Sequence, residues 1–307
     1  MNINSKIKLI TILGPTAAGK TCLATKIASE IESEIISADS RQIYKGMDIG
    51  TGKDLNEYII NGKLVPYHLI DIINPHQDYS VYSFQKQFHL IYKDLLEKDI
   101  CPILCGGTGL YIESILLNYD ISSTKPDYTL RNNLEKLSKS DLLQIFESID
   151  DEKLKVWKCD TKQRIIRGIE IALESNIRVK SEKYNLDLNE VIILGINMER
   201  DIIRDRITNR LEYRLNNNMV EEVEILLLNN LVTLDRLDYF GLEYKYIGHY
   251  LGEKITYEEM FSQLNTAIHK FAKKQMTFFR RMEKRGININ WIDNGDFEDA
   301  LNIINSI

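Results

Sequence analysis

The sequence predicts an α/β fold in which helices cover both faces of a parallel β-sheet and a helical insertion domain interrupts this core. Two observations in the 307-residue chain lead to this prediction. In its first third, short apolar runs alternate with helical patterns, and the turns between them are short. After about residue 118 the pattern becomes helical and charged, and strand-like runs become rare. Alternating strands and helices are typical of a parallel sheet with helices on both sides.

The first third of the chain contains the strands and helices that define this sheet. Four strands are predicted at residues 8–13, 34–38, 68–72 and 101–105. Two helices are predicted at residues 20–31 and 80–98. In the first of these helices, Leu23, Ile27 and Ile31 repeat at the spacing of one helical face. The fourth strand leads into a glycine-rich turn at 106–109.

The remaining two thirds are predicted to be mainly helical. Helical segments are expected at 127–175 and 200–285, a buried strand at 191–196 and a closing edge strand at 287–292. The predicted core therefore comprises residues 1–118, continued by about 161–198 and 265–307. The predicted helical insertions lie at about 119–160 and 199–264.

Composition predicts a soluble, cytoplasmic protein. Hydrophobic residues make up 44% and charged residues 27%, no apolar run is long enough for a bilayer, and the first residues lack a signal-peptide layout. The net charge of −6 argues against a uniformly basic nucleic-acid-binding surface but allows locally concentrated cations. The four cysteines lack metal-site spacing and are expected to be reduced thiols.

Residues 14–21, GPTAAGKT, match the phosphate-binding pattern GxxxxGK[ST], after a strand and at the start of a helix. Backbone N–H groups of such a loop, together with the helix N-terminus, attract phosphate oxygens. Lys20 adds a mobile cation, and Thr21 adds a hydroxyl group that can bind Mg²⁺. This loop makes the predicted sheet P-loop NTPase-like, but it does not say which phosphates it holds. The candidate phosphate-binding residues are Gly14, Pro15, Thr16, Ala17, Ala18, Gly19, Lys20 and Thr21.

Asp39 follows the second predicted strand. In a parallel sheet the carboxyl end of this strand opens towards the same crevice as the phosphate loop. Asp39 is therefore a candidate Mg²⁺ ligand, hydrogen-bond partner or general base. The structural alternative is an aspartate that caps the following turn, which is equally common.

Several segments together resemble the tRNA dimethylallyltransferase family. They are GPTAAGKT at 14–21, DSRQIYKGMDIGTGK at 39–53, LIDI at 69–72 and GGTGLYIES at 106–114. KQRIIRGIE at 162–170 and FAKKQMTFFRR at 271–281 are similar to the same family. The likeness spans nearly the whole chain in order, whereas nucleotide kinases share only the first segment.

The resemblance implies transfer of a dimethylallyl group from dimethylallyl diphosphate to N6 of adenosine 37 in tRNA, giving N6-isopentenyladenosine. The phosphate loop would then hold the departing diphosphate, with Lys20 and Thr21 as catalytic groups and Mg²⁺ as the cofactor on Thr21. Asp39 matches the general base of the family, acting on an adenine flipped out of its stack. The tRNA-binding positions that the resemblance implies are Asp39, Ser40, Arg41, Gln42, Thr108, Arg131, Gln163, Arg164, Ile165, Ile166 and Arg167.

One predicted helix near the end of the chain concentrates cations. Lys270, Lys273, Lys274, Arg280, Arg281, Lys284 and Arg285 fall within an arc of about 140°. Phe271, Phe278, Phe279 and Met282 fall on the other side and are expected to pack. Like charges at i,i+4 repel, which a bound polyanion would relieve. We therefore favour a binding stripe over a solvated face.

In the resembling family a basic residue of this helix reaches the diphosphate, and many members carry arginine where His269 stands here. Lys273 and Arg280 are therefore the predicted substitutes for diphosphate binding. A second run of cations, Arg200, Arg204, Arg206, Arg210 and Arg214, is interleaved with acidic residues. We interpret that run as a salt-bridged surface.

Three other functions compete with tRNA prenylation. A nucleotide kinase would consume ATP, and an adenylate prenyltransferase would act on a free nucleotide with less need for the cationic helix. A noncatalytic tRNA-binding protein would have no use for Lys20, Thr21 and Asp39 together. The predicted partners are tRNA and dimethylallyl diphosphate, without a membrane, and the predicted state is a monomer.

Overall fold

The structure, a computed structural model, describes residues 4, 6–174 and 186–306. The chain divides into two compact units. The main unit comprises Met1–Tyr119 and Asn185–Ile307, and the smaller unit comprises Asp120–Tyr184. Within the described residues no helix combines the length and apolar character needed to span a membrane.

A six-stranded parallel sheet forms the centre of the main unit. Its strands in chain order are β1 (Leu9–Leu13), β2 (Ile35–Ser37), β5 (Tyr67–His68), β6 (Ile103–Gly106), β7 (Val191–Asn197) and β8 (Asn290–Asp293). Their spatial order is β5-β2-β6-β1-β7-β8. A separate antiparallel pair is formed by β3 (Ile59–Ile60) and β4 (Lys63–Leu64). The predicted α/β fold with a parallel sheet is confirmed.

Nine helices are described in the main unit. They are α1 (Lys20–Glu30), α2 (Val81–Glu97), α3 (Gly109–Leu116), α7 (Arg200–Leu215), α8 (Met219–Leu228), α9 (Leu234–Leu237), α10 (Leu242–Leu251), α11 (Tyr257–Glu283) and α12 (Phe297–Asn305). Helices cover both faces because the strands bury side chains on both. Leu9 and Leu13 of β1 belong to one apolar cluster and Ile10 and Ile12 to another, as the alternation of side chains along a strand requires.

The third predicted strand is shorter than expected. The pattern predicts residues 68–72, but β5 ends at His68. Leu69 and Asp71 have φ values of 62° and 56°, which lie outside the β region and turn the backbone away from the sheet. Asp71 instead accepts a hydrogen bond from Lys53 Nζ, a buried ammonium group that also donates to the Tyr44 carbonyl oxygen at 2.8 Å.

The longest helix, α11, begins with a capping box. Thr256 Oγ1 accepts the backbone N–H of Glu259, and the Glu259 carboxylate accepts the N–H of Thr256. These two bonds satisfy orphan donors of the first helical turn. The buried side chains of α11 recur along one face and include Leu264, Gln275 and Phe279. Most of that face is apolar, so the single buried glutamine stands out.

The smaller unit contains three helices: α4 (Tyr128–Leu134), α5 (Lys139–Val156) and α6 (Lys162–Glu174). Its apolar cluster includes Leu142 and Phe146 of α5 and Ile165 and Ile169 of α6. The sequence pattern predicts 161–198 as part of the core, whereas α6 packs within this smaller unit. Residue 175 of the predicted helical segment lies outside the described residues. That residues 119–160 and 199–264 are tRNA-binding insertions stays a prediction.

Candidate active site

A cavity of about 710 Å³ opens where β1, β2 and β6 end. Loops that follow the carboxyl ends of parallel strands meet at one edge of a sheet, which is where ligands of such folds bind. Lys20, Thr21, Asp39 and Thr108 all line this cavity. The phosphate loop and the predicted base segment therefore share one open space, although 18 residues separate Thr21 from Asp39 in the chain.

The phosphate loop turns sharply into α1. Gly19 has a φ of 87°, which glycine adopts without the cost that a side chain would add, and α1 starts at Lys20. Lys20 Nζ donates to the Pro15 carbonyl oxygen at 2.8 Å. Burial lowers the pKa of Lys20 to about 8, and the Arg210 cation adds to this lowering. An anion in the cavity would favour the charged form of Lys20.

Three arginines of α7 line the cavity: Arg206, Arg210 and Arg214. Arg210 donates to the Thr16 hydroxyl oxygen in the phosphate loop. Burial, and next the neighbouring Arg214 cation, lower the pKa of Arg210 to about 10. Arg214 pairs with Asp54 at 2.8 Å. The cavity wall therefore holds cations that are close together and partly removed from water, as an anion-binding site requires.

The interpretation of this arginine run as a salt-bridged surface does not describe these three residues, because they line the cavity and the ion pair of Arg214 is with Asp54 outside the run. They recur at i,i+4 and so share one helix face. The acidic residues of the run occupy other faces: no Asp or Glu stands three or four positions from Arg206, Arg210 or Arg214 within α7. That spacing is the sequence signal that could have identified the arginines as a separate group.

Lys273 and Arg280, the predicted diphosphate ligands of α11, are exposed and do not line the cavity. His269 lies in a second surface depression with Asp205, Thr208 and Asn265. Arg281 and Arg285 both bind Glu113, whose side chain is only 1% exposed. The predicted repulsion along this stripe is therefore relieved in part by a carboxylate of the protein itself.

The aromatic side of α11 also differs from the prediction. Phe279 and Met282 are buried, but Phe271 is 43% exposed and lines the cavity together with Phe278. Lys274 lines the cavity as well. The Phe278 ring packs against Gly109, which has no side chain. A Cβ atom at Gly109 would lie 2.4 Å from the ring. The cavity is thus lined by aromatic side chains of α11 as well as by the arginines of α7.

Asp39 is half-buried, and its Oδ1 atom accepts the backbone N–H of Arg41 at 2.8 Å. It therefore caps the turn and lines the cavity at once. The backbone N–H of Ser40 donates to Thr108 Oγ1 at 3.0 Å, which joins this segment to the turn after β6. Gly106 is packed tightly against the end of β2, because a side chain there would lie 2.3 Å from the Ala38 carbonyl oxygen.

The amide group of Gln42 is held on both sides. Its Nε2 atom donates to the Gly52 carbonyl oxygen at 2.9 Å, and its Oε1 atom accepts from Ser37 Oγ at 2.9 Å. The loop that carries Gly52 is anchored in turn by Glu222 of α8. That carboxylate accepts the backbone N–H groups of residues 48, 49 and 50 and the Tyr244 hydroxyl group. Glu222 is a residue of the site that sequence reasoning missed.

The other predicted tRNA-binding residues lie in the smaller unit. Arg131 donates to Glu170 with two nitrogens, at 2.7 and 2.8 Å, and Arg167 donates to the same carboxylate at 3.0 Å. Ile165 and Ile166 are buried there, so their side chains contribute packing. Gln163 and Arg164 are exposed, and Arg164 pairs with Asp160 at 2.6 Å.

The donor groups of the cavity fit Mg²⁺ bound mainly through a substrate. Among the residues that the structure describes, no cluster of three His, Cys, Asp or Glu side chains could hold a metal ion. The Thr21 hydroxyl group lines the cavity beside the phosphate loop. Mg²⁺ is commonly bound by one or two protein oxygens, water and substrate phosphates, so this donor set is sufficient for it.

The fold and the cavity define a P-loop-like α/β protein with an open cavity at the carboxyl edge of its parallel sheet. Comparison with known families specifies the class further. The family described as IPP transferase matches residues 42–282, and the family described as isopentenyl transferase matches residues 7–64. The chain belongs to the IPP transferase family.

Relatives and solved structures agree with this assignment. The chain is 47% identical to tRNA dimethylallyltransferase 1 of Azobacteroides pseudotrichonymphae, over 98% of this chain and 97% of the relative. It is 46% identical to tRNA dimethylallyltransferase 2 of Bacteroides fragilis, over 96% of each. A tRNA isopentenylpyrophosphate transferase structure from Bacillus halodurans matches with a TM-score of 0.68 and 29% identity, covering 97% of this chain and 94% of that one.

A structure of a eukaryotic dimethylallyltransferase acting on tRNA shares the fold, with a TM-score of 0.76 at 20% identity. It matches 95% of this chain and 75% of that one.

Proposed function

We propose that this chain transfers a dimethylallyl group from dimethylallyl diphosphate to N6 of adenosine 37 in tRNA. The observation that carries the proposal is that Lys20, Thr21 and Asp39 line one cavity. Phosphate-binding groups and a carboxylate therefore share this space. We also propose that the chain acts as a monomer and in the cytoplasm.

The diphosphate leaving group is held by the phosphate loop and by α7. As the allylic carbon–oxygen bond breaks, its electron pair stays on the diphosphate oxygen, where negative charge develops. Lys20 and Arg210, which both line the cavity, would stabilise that charge with dipoles and cations already in place. Mg²⁺, when bound at Thr21, would neutralise further charge on the diphosphate. Arg210 thus takes the role that the sequence assigned to Lys273 and Arg280.

The acceptor reacts on the side of Asp39. The N6 nitrogen of adenine forms the new bond to the allylic carbon and gives up one proton, which the Asp39 carboxylate accepts. The N–H of Arg41, which donates to Asp39 Oδ1 at 2.8 Å, fixes the orientation of that carboxylate. Ser40 and Gln42 flank this carboxylate and line the cavity with it.

The dimethylallyl group requires apolar surroundings. Leu242, Ile268, Phe271 and Phe278 supply them, because all four line the same cavity as the phosphate loop. Such a wall also keeps water from an allylic carbon that is losing its leaving group. This apolar lining supports a donor that carries a hydrocarbon group.

The decisive experiment supplies purified protein with dimethylallyl diphosphate labelled in the allyl group, Mg²⁺ and either unmodified tRNA or AMP. We expect label in tRNA but not in AMP, and none in a tRNA that carries guanosine at position 37. Label in AMP would favour the adenylate prenyltransferase. Formation of ADP from ATP and a small nucleotide, without label transfer, would favour the kinase.

A matched pair of variants tests the base. Asp39→Asn is expected to lower kcat by about 10²- to 10⁴-fold, with a much smaller effect on the KM for tRNA. Glu243→Gln changes another of the carboxyl groups that line the cavity, whose pKa burial raises. If Glu243→Gln abolishes turnover and Asp39→Asn does not, the base is Glu243 and the assignment of Asp39 is wrong.

A further inference from the structure

The geometry points to Gln275 of α11 as a positioning residue that sets the spacing between the diphosphate loop and the segment of the catalytic carboxylate. This inference rests on the proposed function and adds a residue to it. Gln275 belongs to the segment FAKKQMTFFRR, of which the proposed function uses only Phe271 and Phe278. It is 7% exposed and lines the cavity.

The Gln275 amide bridges two loops of the site. Its Oε1 atom accepts the backbone N–H of Thr16 at 2.8 Å, in the phosphate loop. Its Nε2 atom donates to the Gly107 carbonyl oxygen at 3.0 Å, in the turn after β6. One partner is a donor and the other an acceptor, so together they fix which way the amide points. A shorter or apolar side chain cannot make both bonds.

The bridge continues to the carboxylate. Gly107 precedes Thr108, and Thr108 Oγ1 accepts the backbone N–H of Ser40 at 3.0 Å. Ser40 is next to Asp39. A hydrogen-bonded path therefore runs from Thr16 through Gln275, Gly107 and Thr108 to the segment that carries Asp39.

The strand order explains why such a bridge matters. The phosphate loop follows β1 and Asp39 follows β2, but β6 lies between these strands. No ladder hydrogen bond therefore joins the two loops directly. The allylic carbon is held from the side of the phosphate loop and N6 from the side of Asp39, so their separation depends on what joins the loops. A displacement of about 1 Å can cost a reaction about 10²-fold in rate.

The fit around the amide is tight. A side chain at Gly107 would place its Cβ atom 2.4 Å from Gln275 Nε2, so the amide occupies the space beside that turn. A buried polar side chain needs partners, and those of Gln275 are backbone groups of the site. A glutamine that served only the packing of α11 would not need both of them.

The first test is Gln275→Met, which keeps the length and approximate volume of the side chain and removes both hydrogen bonds. We expect kcat under saturating tRNA and donor to fall by about 10- to 100-fold, with the KM values of both substrates within about threefold of the parent. Substrate binding is retained because Lys20, Thr21 and Arg210 are unchanged. Gln263→Met is the matched control, because Gln263 is exposed on the same helix, and it should leave kcat unchanged.

A second variant keeps the proposal testable if Gln275→Met folds poorly. Gln275→Asn keeps the polar amide but is one methylene shorter, so it cannot reach the Thr16 N–H and the Gly107 carbonyl oxygen together. We expect the same split, with kcat lowered by about 10-fold and the KM values of both substrates within about threefold of the parent. A purely structural role would lower the yield of folded protein without separating kcat from KM.

Two results would overturn the inference. One is a kcat within twofold of the parent for Gln275→Met in protein that melts cooperatively. The other is a loss confined to the KM of a single substrate, with the kcat of both Gln275→Met and Gln275→Asn unchanged. Failure of the proposed function would look different, because the parent protein itself would then transfer no label to tRNA.

Discussion

Helices α7 and α11 both carry many cations, yet the structure uses them differently. Three arginines of α7 line the cavity, and one of them reaches the phosphate loop. In α11, Arg281 pairs with the buried Glu113, while Lys273 and Arg280 are exposed away from the cavity. The α11 cations, which the sequence suggested were a binding stripe, are partly structural. The α7 arginines, which the sequence suggested were a salt-bridged surface, line the candidate site.

The difference shows what charge spacing can and cannot indicate. Spacing identifies the cations that share a helix face, but the packing of the helix decides what that face meets. The buried face of α11 includes Leu264, Gln275 and Phe279, and Lys274 is the member of the predicted cation stripe that lines the cavity. The most basic surface of a helix is therefore a poor guide to the cations that bind a buried anion.

The largest expected effect separates the two helices directly. Arg210→Gln should lower kcat/KM for the donor by about 10²- to 10³-fold, because it removes a cation that faces the developing diphosphate charge. Arg280→Gln, the matched change in α11, should alter it by less than about twofold, because Arg280 is exposed. Steady-state kinetics with varied dimethylallyl diphosphate measures both. Equal losses would contradict the contrast between the helices.

The structural role of the α11 cations predicts a loss of stability instead. Replacing Arg281 and Arg285 together by glutamine leaves the Glu113 carboxylate buried without its cationic partners. Removing the partners of a buried charge is destabilising, so we expect the double variant to unfold at a lower urea concentration than the parent. Urea denaturation of the double variant measures this change. A higher KM for dimethylallyl diphosphate, with stability unchanged, would instead show that Arg281 and Arg285 contribute to donor binding.

The pH dependence should follow the cations of the cavity. Burial lowers the pKa of Lys20 to about 8, so the ligand-free protein loses this positive charge as the pH rises through that value. We expect kcat/KM for the donor to be constant below pH 7 and to fall towards tenfold per pH unit above about pH 8.5. Lys20→Arg, although less active, should keep its own kcat/KM constant to a higher pH, because arginine stays charged.

The smallest effect is expected for the exposed part of the α11 stripe. Lys273→Gln should leave the donor KM within about twofold and weaken tRNA binding at most about threefold, and only at low salt. Filter binding at 50 and 200 mM salt measures the difference. A large, salt-independent loss would show that Lys273 contacts a substrate directly.

The features that the sequence predicts correctly depend on residues close together in the chain. The phosphate loop, the segment after β2 and the parallel strands depend on patterns within about 15 residues, and their partners in space follow from general rules for parallel sheets. The strand β5 ends at His68 because Leu69 and Asp71 have positive φ angles. The apolar run LIDI at 69–72 gives no sign of this turn. Asp71 there accepts a hydrogen bond from the buried Lys53.

The features that the sequence could not predict are contacts between residues far apart in the chain. Arg210 meets Thr16 across 194 residues, and Gln275 meets Thr16 across 259 residues. Glu222 reaches the loop at residues 48–50 across more than 170 residues. Such contacts leave no periodic pattern, because each depends on how a helix is placed over the sheet. The arginines were the partial exception, since the absence of acids on their own face was visible in the sequence.

The close approach of Gly106 to the Ala38 carbonyl oxygen bears on how catalytic competence can be lost in evolution. A methyl group at Gly106 would push the end of β2 outwards, and Asp39 would move with it. A descendant of this chain could thus retain every chemically reactive side chain and still be inert. Among paralogues, a residue larger than glycine at this position would mark the copies to examine first for a pseudoenzyme.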